Sequence, residues 1–379
     1  MADVGNLRLA FLANGESDHT KRWLTYFVEK GYDVHLLTFT PKPIKGVKTH
    51  ELKYSGKLSY LQRIWNVRKA VKKIDPDVLH AHYISHYGVY GAFSGFHPYV
   101  LTAYGSDIFE APEKSRIMKM MVKYAIKKAD LIHTVSASAR LIELGCDPKK
   151  ILIQQWGVDT DLFSPKAKSQ SLRSKLGVDS GYLVLSARNW EPLNNVEVFV
   201  KAVPLILERM RNVKFVMLGG GSLEQHLKEL AKKLVVYENI SFVGRVPEEE
   251  MPKYLASADM YVDTFCDLRV DQSGRTMVVH GTSGVGQTTR QAMACGTPQV
   301  LSDRPGTKSL DWFCGVLYKR LDHVDLAEKI VQLLNDDESR EMIGQKSRKN
   351  ALEIFNQEKI ISQWENTYHE LKGSANQGY

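Results

Sequence analysis

The residues best suited to chemistry in this chain lie between Gly281 and Gly306, in the segment GTSGVGQTTRQAMACGTPQVLSDRPG. The segment holds five glycines and two prolines around a short helix-forming run, Thr288 to Cys295. Glycine at a helix start lets backbone N–H groups approach an anionic ligand, and the helix dipole favours negative charge there. The segment therefore predicts a pocket for a phosphate or sugar phosphate, with a purely structural turn as the alternative.

The same loop also resembles a P-loop, the triphosphate-binding pattern G-x-x-x-x-G-K-[ST]. Residues 281–288 fit that pattern everywhere except at Gln287, where the pattern has lysine. Glutamine cannot supply the cation that this lysine gives to the β and γ phosphates. We therefore expect a pocket of backbone donors rather than a P-loop, formed by Gly284, Val285, Gly286 and Gln287 and followed by Thr288.

A second set of polar side chains follows two predicted strands in the first half of the chain. His80, His82 and His86 lie at and beyond one strand end, and Asp107 follows another in Tyr-Gly-Ser-Asp. The histidines have no acidic ligand beside them, so the pattern does not favour a metal site. Asp107 is a candidate to orient a site residue or to bond an acceptor hydroxyl, and capping of the next helix is the equal alternative.

Alternating strands and helices are predicted to position these residues. In the first half, strands are predicted at 7–12, 34–37, 78–80, 99–103 and 131–134. The pattern restarts with strands at 151–154, 182–186, 214–218, 240–243 and 260–263. Two runs of β-α units imply two doubly wound α/β domains with parallel sheets and right-handed crossovers. Ligands then bind at the carboxyl ends of the strands.

Length and composition are those of an ordinary globular chain of two domains. The 379 residues exceed a typical single domain, and 43% hydrophobic and 25% charged residues are normal values. No apolar run approaches the ~20 residues of a membrane span, and the first residues show no signal-peptide pattern. The four cysteines have no CxxC spacing and are expected to be reduced thiols. These features predict a cytoplasmic protein.

Positive charge is concentrated in the first part of the chain. Residues 1–150 carry 23 Lys and Arg against 14 Asp and Glu, a net charge of +9, whereas the whole chain carries +8. Segments 63–73 and 114–128 hold much of it, the second with Ile, Met and Tyr interspersed. This pattern suits peripheral contact with an anionic membrane at its inner face, with an ordinary solvated helix as the alternative. No zinc-finger, helix-turn-helix or RNA-binding signature occurs, so no nucleic-acid partner is predicted.

Several segments, in family order, resemble the retaining glycosyltransferases of family four, the glycosyl transferases group 1. The second half resembles their donor domain through GVDTDLFSP (157–165), the strand 185–188, FVMLGGGSLEQHLKEL (215–230), FVGRVPEEEMPKYLASADMYV (242–262) and AMACGTPQVLSD (292–303). The first half is similar through DVLHAHYISHYG (77–88) and TAYGSDI (102–108). The resemblance implies the GT-B fold, in which two Rossmann-like doubly wound domains face a central cleft.

The resemblance also implies how the chain is divided. Residues 1–160 would form an acceptor-side Rossmann-like domain, and 161–350 a Rossmann-like domain that binds the nucleotide sugar. Residues 351–379 would supply a helix that crosses back to the N-terminal domain, followed by a disordered tail.

By the same resemblance, the donor site takes residues from both halves of the chain. Arg188 would bind the donor diphosphate, because a guanidinium can grip two phosphate oxygens, and a structural ion pair is the alternative. The loop Gly244-Arg245-Val246 would contact the base. Gly15, in the loop after the first strand, would allow close backbone approach to donor phosphate.

Three departures from the family pattern fall in this site. Where the family has two glutamates eight positions apart, this chain has Ser283 and Gln291. The family's lysine aligns near Asn194 or Asn195, so its cation is missing, and residues 267–280 make a longer connection than usual. Gln291 can still donate to and accept from ribose hydroxyls. Asn194, Ser283 and Gln291 therefore stay candidates for donor binding.

The resemblance places His82 near the donor sugar, where its ring or backbone can assist departure of the diphosphate. His86 is a second candidate, and His80 is expected to be a satisfied buried histidine. The implied reaction is retaining transfer of a hexose from a nucleotide-diphosphate donor to a hydroxyl of a glycan or lipid-linked acceptor, as in polysaccharide biosynthesis. It would need neither a metal nor a separate cofactor. A catalytically weakened paralogue, binding nucleotide sugar or a partner enzyme without turnover, is the alternative.

Overall fold

The computed structural model describes residues 7–53, 59–266, 268–270, 276–278, 285–304, 307 and 310–376. The chain divides into two compact units, residues 1–155 with 358–379, and residues 156–357. These limits differ from the predicted boundaries after 160 and 350. The reason is local, because the helix Asp337–Ile354 and the bridge between Val158 and Asn356 still belong to the second unit.

The strands are short and mostly buried, as expected for parallel sheets covered on both faces. In chain order they are β1 (Arg8–Leu12), β2 (Asp33–Thr38), β3 (Lys48–Glu51), β4 (Val78–His82), β5 (Tyr99–Thr102), β6 (Leu131–Thr134), β7 (Ile151–Ile153), β8 (Tyr182–Ala187), β9 (Val213–Leu218), β10 (Ile240–Gly244), β11 (Met260–Asp263), β12 (Leu268–Val270), β13 (Thr276–Val278), β14 (Gln299–Ser302) and β15 (Val316–Tyr318).

Helices occupy the connections between these strands. They are α1 (Asp18–Glu29), α2 (Ser59–Ile74), α3 (Val89–Ser94), α4 (Ser106–Phe109), α5 (Ala111–Lys114), α6 (Arg116–Lys128), α7 (Ser138–Glu143), α8 (Gln170–Lys175), α9 (Glu197–Leu207), α10 (Glu224–Lys233), α11 (Met251–Ser257), α12 (Gln287–Ala294), α13 (His323–Leu334), α14 (Asp337–Ile354) and α15 (Gln357–Asn376). A π-helix, Ile84–Gly88, follows β4 directly.

Each unit contains one parallel sheet. The first has the order β3-β2-β1-β4-β5-β6-β7, and the second has the order β10-β9-β8-β11-β14-β15. The prediction of two doubly wound α/β domains is therefore confirmed. The edge strand β3 was not predicted, because its sequence KTHE is polar and half-exposed. The ribbon β12–β13 is antiparallel and lies in the long connection 267–280.

Apolar side chains cover both faces of the second unit's sheet. One cluster includes Phe199 of α9 and Ile330 of α13, and the other includes Leu255 of α11 and Met293 of α12. Because parallel strands all end at the same edge, the residues that follow β8, β9, β10 and β11 are brought to one side of this sheet.

The last helix, α15, is part of the first unit. Its Trp364 and Tyr368 are fully buried. The Trp364 ring lies 5.3 Å from that of Trp23, and the Tyr368 hydroxyl lies 2.6 Å from Nδ1 of His80. The helix continues past Gly373, where the sequence predicts a disordered tail, so that prediction is wrong as far as Asn376. Residues 377–379 lie outside the described part of the chain.

Among the residues that the structure covers, no helix combines the length and the apolarity needed to cross a bilayer.

Candidate functional site

A cavity of about 320 Å³ lies at the carboxyl edge of the second unit's sheet. We call it the C-terminal cavity. It lies where β8, β9 and β10 end and where α12 begins, as expected for a doubly wound sheet. Its lining residues are Ala187, Arg188, Asn189, Asn194, Leu218, Gly219, Arg245, Val246, Met251 and Thr288.

Gly219 allows two chain segments to meet in this cavity. Its φ is 140°, and a Cβ at this position would lie 2.0 Å from the carbonyl oxygen of Arg188. Its N–H donates to the carbonyl of Gly244 at 2.9 Å, and the Arg188 N–H donates to the carbonyl of Leu218 at 3.1 Å. A side chain at 219 would therefore separate the ends of β8, β9 and β10.

Arg188 presents a charged and firmly held guanidinium to the cavity. Its Nε donates to Oδ1 of Asp263 at 2.8 Å, and Nη2 donates to Oδ2 of the same carboxylate. Burial alone would lower the pKa of Arg188, but the charge of Asp263 outweighs it and raises the pKa overall. The structural ion pair considered for Arg188 is thus present, and the side chain still lines the cavity.

A second guanidinium, Arg304, shares the same carboxylate. Its Nη2 lies 3.6 Å from Oδ2 of Asp263, and its side chain is 1% exposed. The guanidinium carbons of Arg188 and Arg304 lie 5.2 Å and 5.3 Å from the ring centroid of Phe265. The local charge of these three ionised groups is therefore +1. Burial would raise the pKa of Asp263, but the two arginines outweigh that effect and lower it.

The start of α12 packs directly against Arg188. A Cβ on Gly286 would lie 2.5 Å from Nη2 of Arg188, so only glycine lets the guanidinium approach the backbone this closely. Thr289, in the first turn of α12, donates its hydroxyl to Oδ2 of Asp263 at 3.0 Å. Gly286, Thr289 and the candidate cation therefore form one local arrangement. At this end the helix dipole adds to the positive potential.

Several other residues predicted to bind the donor also line the C-terminal cavity. Arg245, Val246 and Thr288 do so, and Gly244 precedes them with a φ of 89°. Asn194 lines it too, with its side-chain amide donating to the carbonyl of Asn189 at 2.8 Å.

The side chains of three further predicted residues are not among those that line the cavity. The side chain of Val285 is buried in the core, which leaves only its backbone for the predicted role. The Gln287 amide donates to the carbonyl of Gly157 at 2.9 Å, so its side chain is a structural tie. Gln291 is 6% exposed and is not among the residues that line the cavity. Ser283 and Gly284 lie outside the described residues.

Sequence reasoning missed Asp263 and Arg304. Both follow the apolar part of a predicted strand, at the carboxyl ends of β11 and β14. Strand ends of this kind carry ligand sites in doubly wound sheets, and that signal could have identified both residues. The sequence pattern does not show that the two residues contact each other, because that contact depends on the strand order β8-β11-β14.

A cavity of about 560 Å³ in the first unit holds the second set of predicted residues. We call it the N-terminal cavity. Polar and aromatic side chains form its wall, and they are Asn14, Ser17, His19, Thr20, Phe39, Thr40, Arg63, His82, Tyr83, His86, Tyr87 and Tyr104.

His82 ends β4 and is one of the residues that line this cavity. Its Nδ1 lies 3.0 Å from the Tyr104 hydroxyl, whereas Nε2 is buried without a hydrogen-bond partner in the described part of the chain. Burial and the neighbouring His133 and His19 lower the pKa of His82 to about 3, so the ring is neutral at pH 7. A neutral imidazole with one unused nitrogen is suited to bonding a hydroxyl of a bound ligand.

The other two histidines of the motif differ from His82. His80 uses both ring nitrogens, at 2.6 Å from the Tyr368 hydroxyl and 2.7 Å from the Thr102 hydroxyl, and is a satisfied buried histidine. His86 lines the N-terminal cavity from the π-helix, and burial together with Arg63 lowers its pKa to about 4.

Asp107 supports the wall of the cavity. It is fully buried, Oδ2 accepts the N–H of Ile84 at 2.7 Å, and Oδ1 accepts those of Tyr104 and Gly105 at 3.0 Å and 2.8 Å. Burial raises its pKa to about 6, although these backbone hydrogen bonds oppose the shift. These contacts fit the predicted role of orienting neighbouring residues, and a direct catalytic role for Asp107 stays a prediction.

The turn that Asp107 holds begins the π-helix. Tyr83 has a φ of 73° and a ψ of 93°, an uncommon backbone conformation for a residue other than glycine. Such strain and π-helical turns occur frequently at functional sites, because surrounding contacts must hold them in place. Here the Asp107 carboxylate supplies one of those contacts, by accepting the N–H of Ile84 two residues after His82.

Gly15 also has a structural role. Its N–H donates to the Thr38 hydroxyl at 3.1 Å, and a Cβ would lie 2.5 Å from the carbonyl oxygen of Thr40. The N–H of Gly15 thus has a partner inside the unit, and approach of this backbone to a donor phosphate stays a prediction. Its neighbour Asn14 lines the cavity instead.

No cluster of three or more His, Cys, Asp or Glu side chains arranged to hold a metal ion occurs within the described ranges.

Two family models match the chain, one in each half. The model for glycosyl transferase 4-like proteins matches residues 8–136. The model for glycosyl transferases group 1 matches residues 168–350. The second match contains Arg188, Asp263 and Arg304, and the first contains His82 and Asp107.

Individual relatives are distant but cover much of the chain. An N-acetyl-alpha-D-glucosaminyl L-malate synthase from Bacillus anthracis is 22% identical over 364 residues, 90% of each chain. A GDP-mannose-dependent alpha-(1-6)-phosphatidylinositol monomannoside mannosyltransferase from Mycolicibacterium smegmatis is 26% identical over 200 residues, which span 52% of this chain and 50% of the relative. The solved structure of Anabaena Alr3699/HepE in complex with UDP superimposes with a TM-score of 0.77 at 19% identity, covering 96% of this chain and all of that one.

Proposed function

The chain belongs to the group 1 glycosyltransferases with a GT-B fold, and from that premise we propose that it catalyses metal-independent, retaining transfer of a hexose to a hydroxyl group. Membership of this family means that the chain is a glycosyltransferase that uses a nucleotide-sugar donor. The donor would bind in the C-terminal cavity, and the acceptor in the N-terminal cavity.

One observation carries the proposal for the donor, namely the cationic group at the C-terminal cavity. Arg188 and Arg304 share the single carboxylate of Asp263, and the start of α12 adds the positive end of a helix dipole. This arrangement suits a nucleotide diphosphate, because the diphosphate is the leaving group and accumulates negative charge during transfer. UDP is the nucleotide to test first, because the Anabaena protein holds it.

The chemistry follows from that charge. The bond between the sugar C1 and the β-phosphate oxygen breaks, and Arg188 stabilises the released diphosphate. No aspartate or glutamate is among the described residues that line either cavity. We propose attack by the acceptor on the same face, with the leaving phosphate oxygen taking the proton of the acceptor hydroxyl. This route retains the anomeric configuration.

His82 would bond a sugar hydroxyl through Nε2 during this step. Since the pKa of His82 is lowered to about 3, the ring is a neutral hydrogen-bonding group and not an acid at pH 7. The Asp107 carboxylate would keep the following turn in place.

The activity is tested with a panel of nucleotide sugars and acceptor extracts. We expect release of free nucleotide diphosphate, unchanged by EDTA, and an NMR spectrum of the product with the anomeric configuration of the donor. Binding of nucleotide sugar without any release would favour the weakened paralogue instead. A rise in turnover with Gln291→Glu, alone or with Ser283→Glu, would show that the site is attenuated.

We also propose peripheral contact of the first unit with an anionic membrane. Four large apolar side chains on α2 and α6, Leu61, Trp65, Ile117 and Met120, are 64% to 70% exposed. The two helices meet where the Tyr60 hydroxyl lies 3.8 Å from Sδ of Met121. Basic residues occur throughout both helices, and this composition suits a negatively charged lipid surface.

Sedimentation with vesicles tests the membrane proposal. The protein should sediment with vesicles containing phosphatidylglycerol and not with pure phosphatidylcholine, and high salt should weaken the binding. The double variant Trp65→Ser, Ile117→Ser should lose most of it. Val235→Ser, which changes an exposed apolar residue of the second unit, is the matched control. Equal sedimentation of all three proteins would support ordinary solvated helices.

A further inference from the structure

A chain of hydrogen bonds crosses the core of the first unit. It begins at the carbonyl of Gln154, which lies 2.9 Å from Nε2 of His133. Nδ1 of His133 lies 3.2 Å from the Thr102 hydroxyl, which in turn lies 2.7 Å from Nε2 of His80. Nδ1 of His80 lies 2.6 Å from the Tyr368 hydroxyl. The chain therefore joins the neighbouring strands β4, β5 and β6 to the last helix, α15.

The direction of each hydrogen bond in this chain follows from the chemistry of its first member. A carbonyl oxygen only accepts, so His133 carries its proton on Nε2. Burial lowers the pKa of His133 to about 4, so the ring is neutral at pH 7 and Nδ1 accepts the O–H of Thr102. The Thr102 oxygen then accepts the Nε2–H of His80. Nδ1 of His80 therefore carries no proton, and it accepts the O–H of Tyr368.

The opposite end of the chain requires the same direction. The indole N–H of Trp23 can only donate, and its Nε1 lies 3.4 Å from the Tyr368 hydroxyl. The Tyr368 oxygen therefore accepts from Trp23 while its own proton is donated to His80. Burial lowers the pKa of His80 well below its usual value, so this ring is also neutral at pH 7. Because both of its nitrogens are used, the His80 ring has one tautomer and one orientation.

His80 is the neighbour of the ring that lines the N-terminal cavity. His80 and His82 are two residues apart on β4, so they share a face of the strand, and their ring centroids lie 4.6 Å apart. The Trp23 ring lies 5.9 Å from that of His82, edge-on. Within the described residues, His82 makes one side-chain hydrogen bond, to the Tyr104 hydroxyl. The orientation of the His82 ring therefore also depends on packing against His80 and Trp23.

We infer that Tyr368 is a positioning residue that acts on His82 through His80. Its hydroxyl holds the His80 ring in one orientation, and the His82 ring packs against that ring. Tyr368 is fully buried and is not among the residues that line either cavity, so it acts on the reaction only through its neighbours. This inference rests on the proposed function, because it adds a residue to the same reaction.

The first test observes the rings without any turnover. Long-range proton–nitrogen NMR of protein labelled at histidine reports which nitrogen of each ring carries the proton. In wild type, His80 should carry it on Nε2, and Tyr368→Phe should shift the signals of both His80 and His82. The matched control is Tyr26→Phe, which removes a buried hydroxyl that has no hydrogen-bond partner in the described part of the chain and should leave these signals in place. Unchanged His82 signals in Tyr368→Phe, or a proton on Nδ1 of His80 in wild type, would overturn the inference.

The second test is a double-mutant cycle on turnover. Tyr368→Phe should lower kcat roughly threefold to tenfold with UDP affinity unchanged, and it should have no further effect in a His82→Ala background. Equal losses in both backgrounds would show that Tyr368 does not act through His82. Thr102→Val breaks the chain at the other nitrogen of His80 and should repeat the pattern, so poor folding of Tyr368→Phe would not prevent the test.

Failure of the proposed function gives a different result from failure of this inference. If His82→Ala keeps the turnover of wild type, His82 has no part in the reaction. The NMR signals alone then decide whether Tyr368 fixes the His82 ring, with a shift supporting that role and unchanged signals contradicting it.

Discussion

Arg304 places Nη2 at 3.6 Å from Oδ2 of Asp263, and both side chains are buried in the second unit. This relationship changes what Arg188 can do. If Arg188 were the only base beside Asp263, the carboxylate would neutralise the charge of its guanidinium. Because Arg304 also compensates the carboxylate, a net positive charge remains beside the C-terminal cavity. We propose that Arg304, which comes from a different strand end, replaces the charge of the lysine that the family pattern has near Asn194.

Replacing Arg304 should weaken the donor site without removing any of the residues that line the cavity. Arg304→Met leaves Asp263 to Arg188 alone, so UDP should bind roughly tenfold more weakly while uridine binding is unchanged. Breaking a buried ion pair should also lower the free energy of unfolding by about 3 kcal/mol. Calorimetric titration and urea unfolding measure the two effects. Arg304→Lys should recover part of both, and equal UDP affinity of Arg304→Met and wild type would contradict this role.

Removing the His82 ring should affect turnover more than donor binding. His82→Ala removes a ring that lines the N-terminal cavity and whose Nε2 is buried without a hydrogen-bond partner in the described part of the chain. We expect turnover to fall roughly tenfold to hundredfold, as for loss of one hydrogen bond in a desolvated site, while UDP affinity stays the same. Steady-state kinetics and titration test this, with His226→Ala, an exposed histidine of the second unit, as the control. Unchanged turnover would remove His82 from the mechanism.

Asp107 should act on turnover through the turn it supports. Asp107→Ala leaves three backbone N–H groups without their acceptor, so we expect lower stability and lower turnover together. A purely structural role would leave the residual turnover of the folded fraction at the wild-type level. Kinetics normalised to the fraction of folded protein, measured by circular dichroism, therefore separate the two roles.

The first unit should lose stability as the pH falls from 6.5 towards 4. His80, His82 and His133 are fully buried, and burial lowers each pKa, to about 3 for His82 and about 4 for His133. Below pH 6.5 the unfolded chain binds protons at these rings and the folded chain does not, so acid favours unfolding. Each ring should contribute up to about 1.4 kcal/mol per pH unit in this window.

Urea unfolding at a series of pH values tests that dependence. The midpoint should move to lower urea concentration at each step from pH 6.5 to pH 5, and His133→Gln should reduce the slope. A midpoint that stays constant over this range would show that the three rings titrate alike in the folded and unfolded chain.

The sequence predicted the parts of the fold that depend on local pattern. The strands at 182–186, 214–218 and 260–263 are found within a residue or two, because continuous apolar runs identify buried parallel strands. The same reasoning found Arg188, because it follows one of those strands directly. It failed for β3, whose polar residues are stabilised by pairing with β2 at a sheet edge.

The contacts in the candidate site that the sequence could not predict have a common cause. Whether Asp107 faces a ligand or three backbone amides depends on how the π-helix after β4 folds back, and no sequence period encodes that. Gly15 binds Thr38, which is 23 positions away along the chain. Arg304 meets Asp263 only because β11 and β14 are neighbours in the sheet. Such non-local pairings decide which polar residues are free to bind a ligand.

The central claim is that the Arg188 guanidinium binds the diphosphate of the donor, and calorimetric titration of UDP tests it most directly. Wild type and Arg209→Ala, an exposed arginine of the same unit, should bind UDP equally. Arg188→Ala should bind UDP roughly 100-fold more weakly, with uridine affinity unchanged. Undiminished UDP binding by folded Arg188→Ala protein would contradict the account.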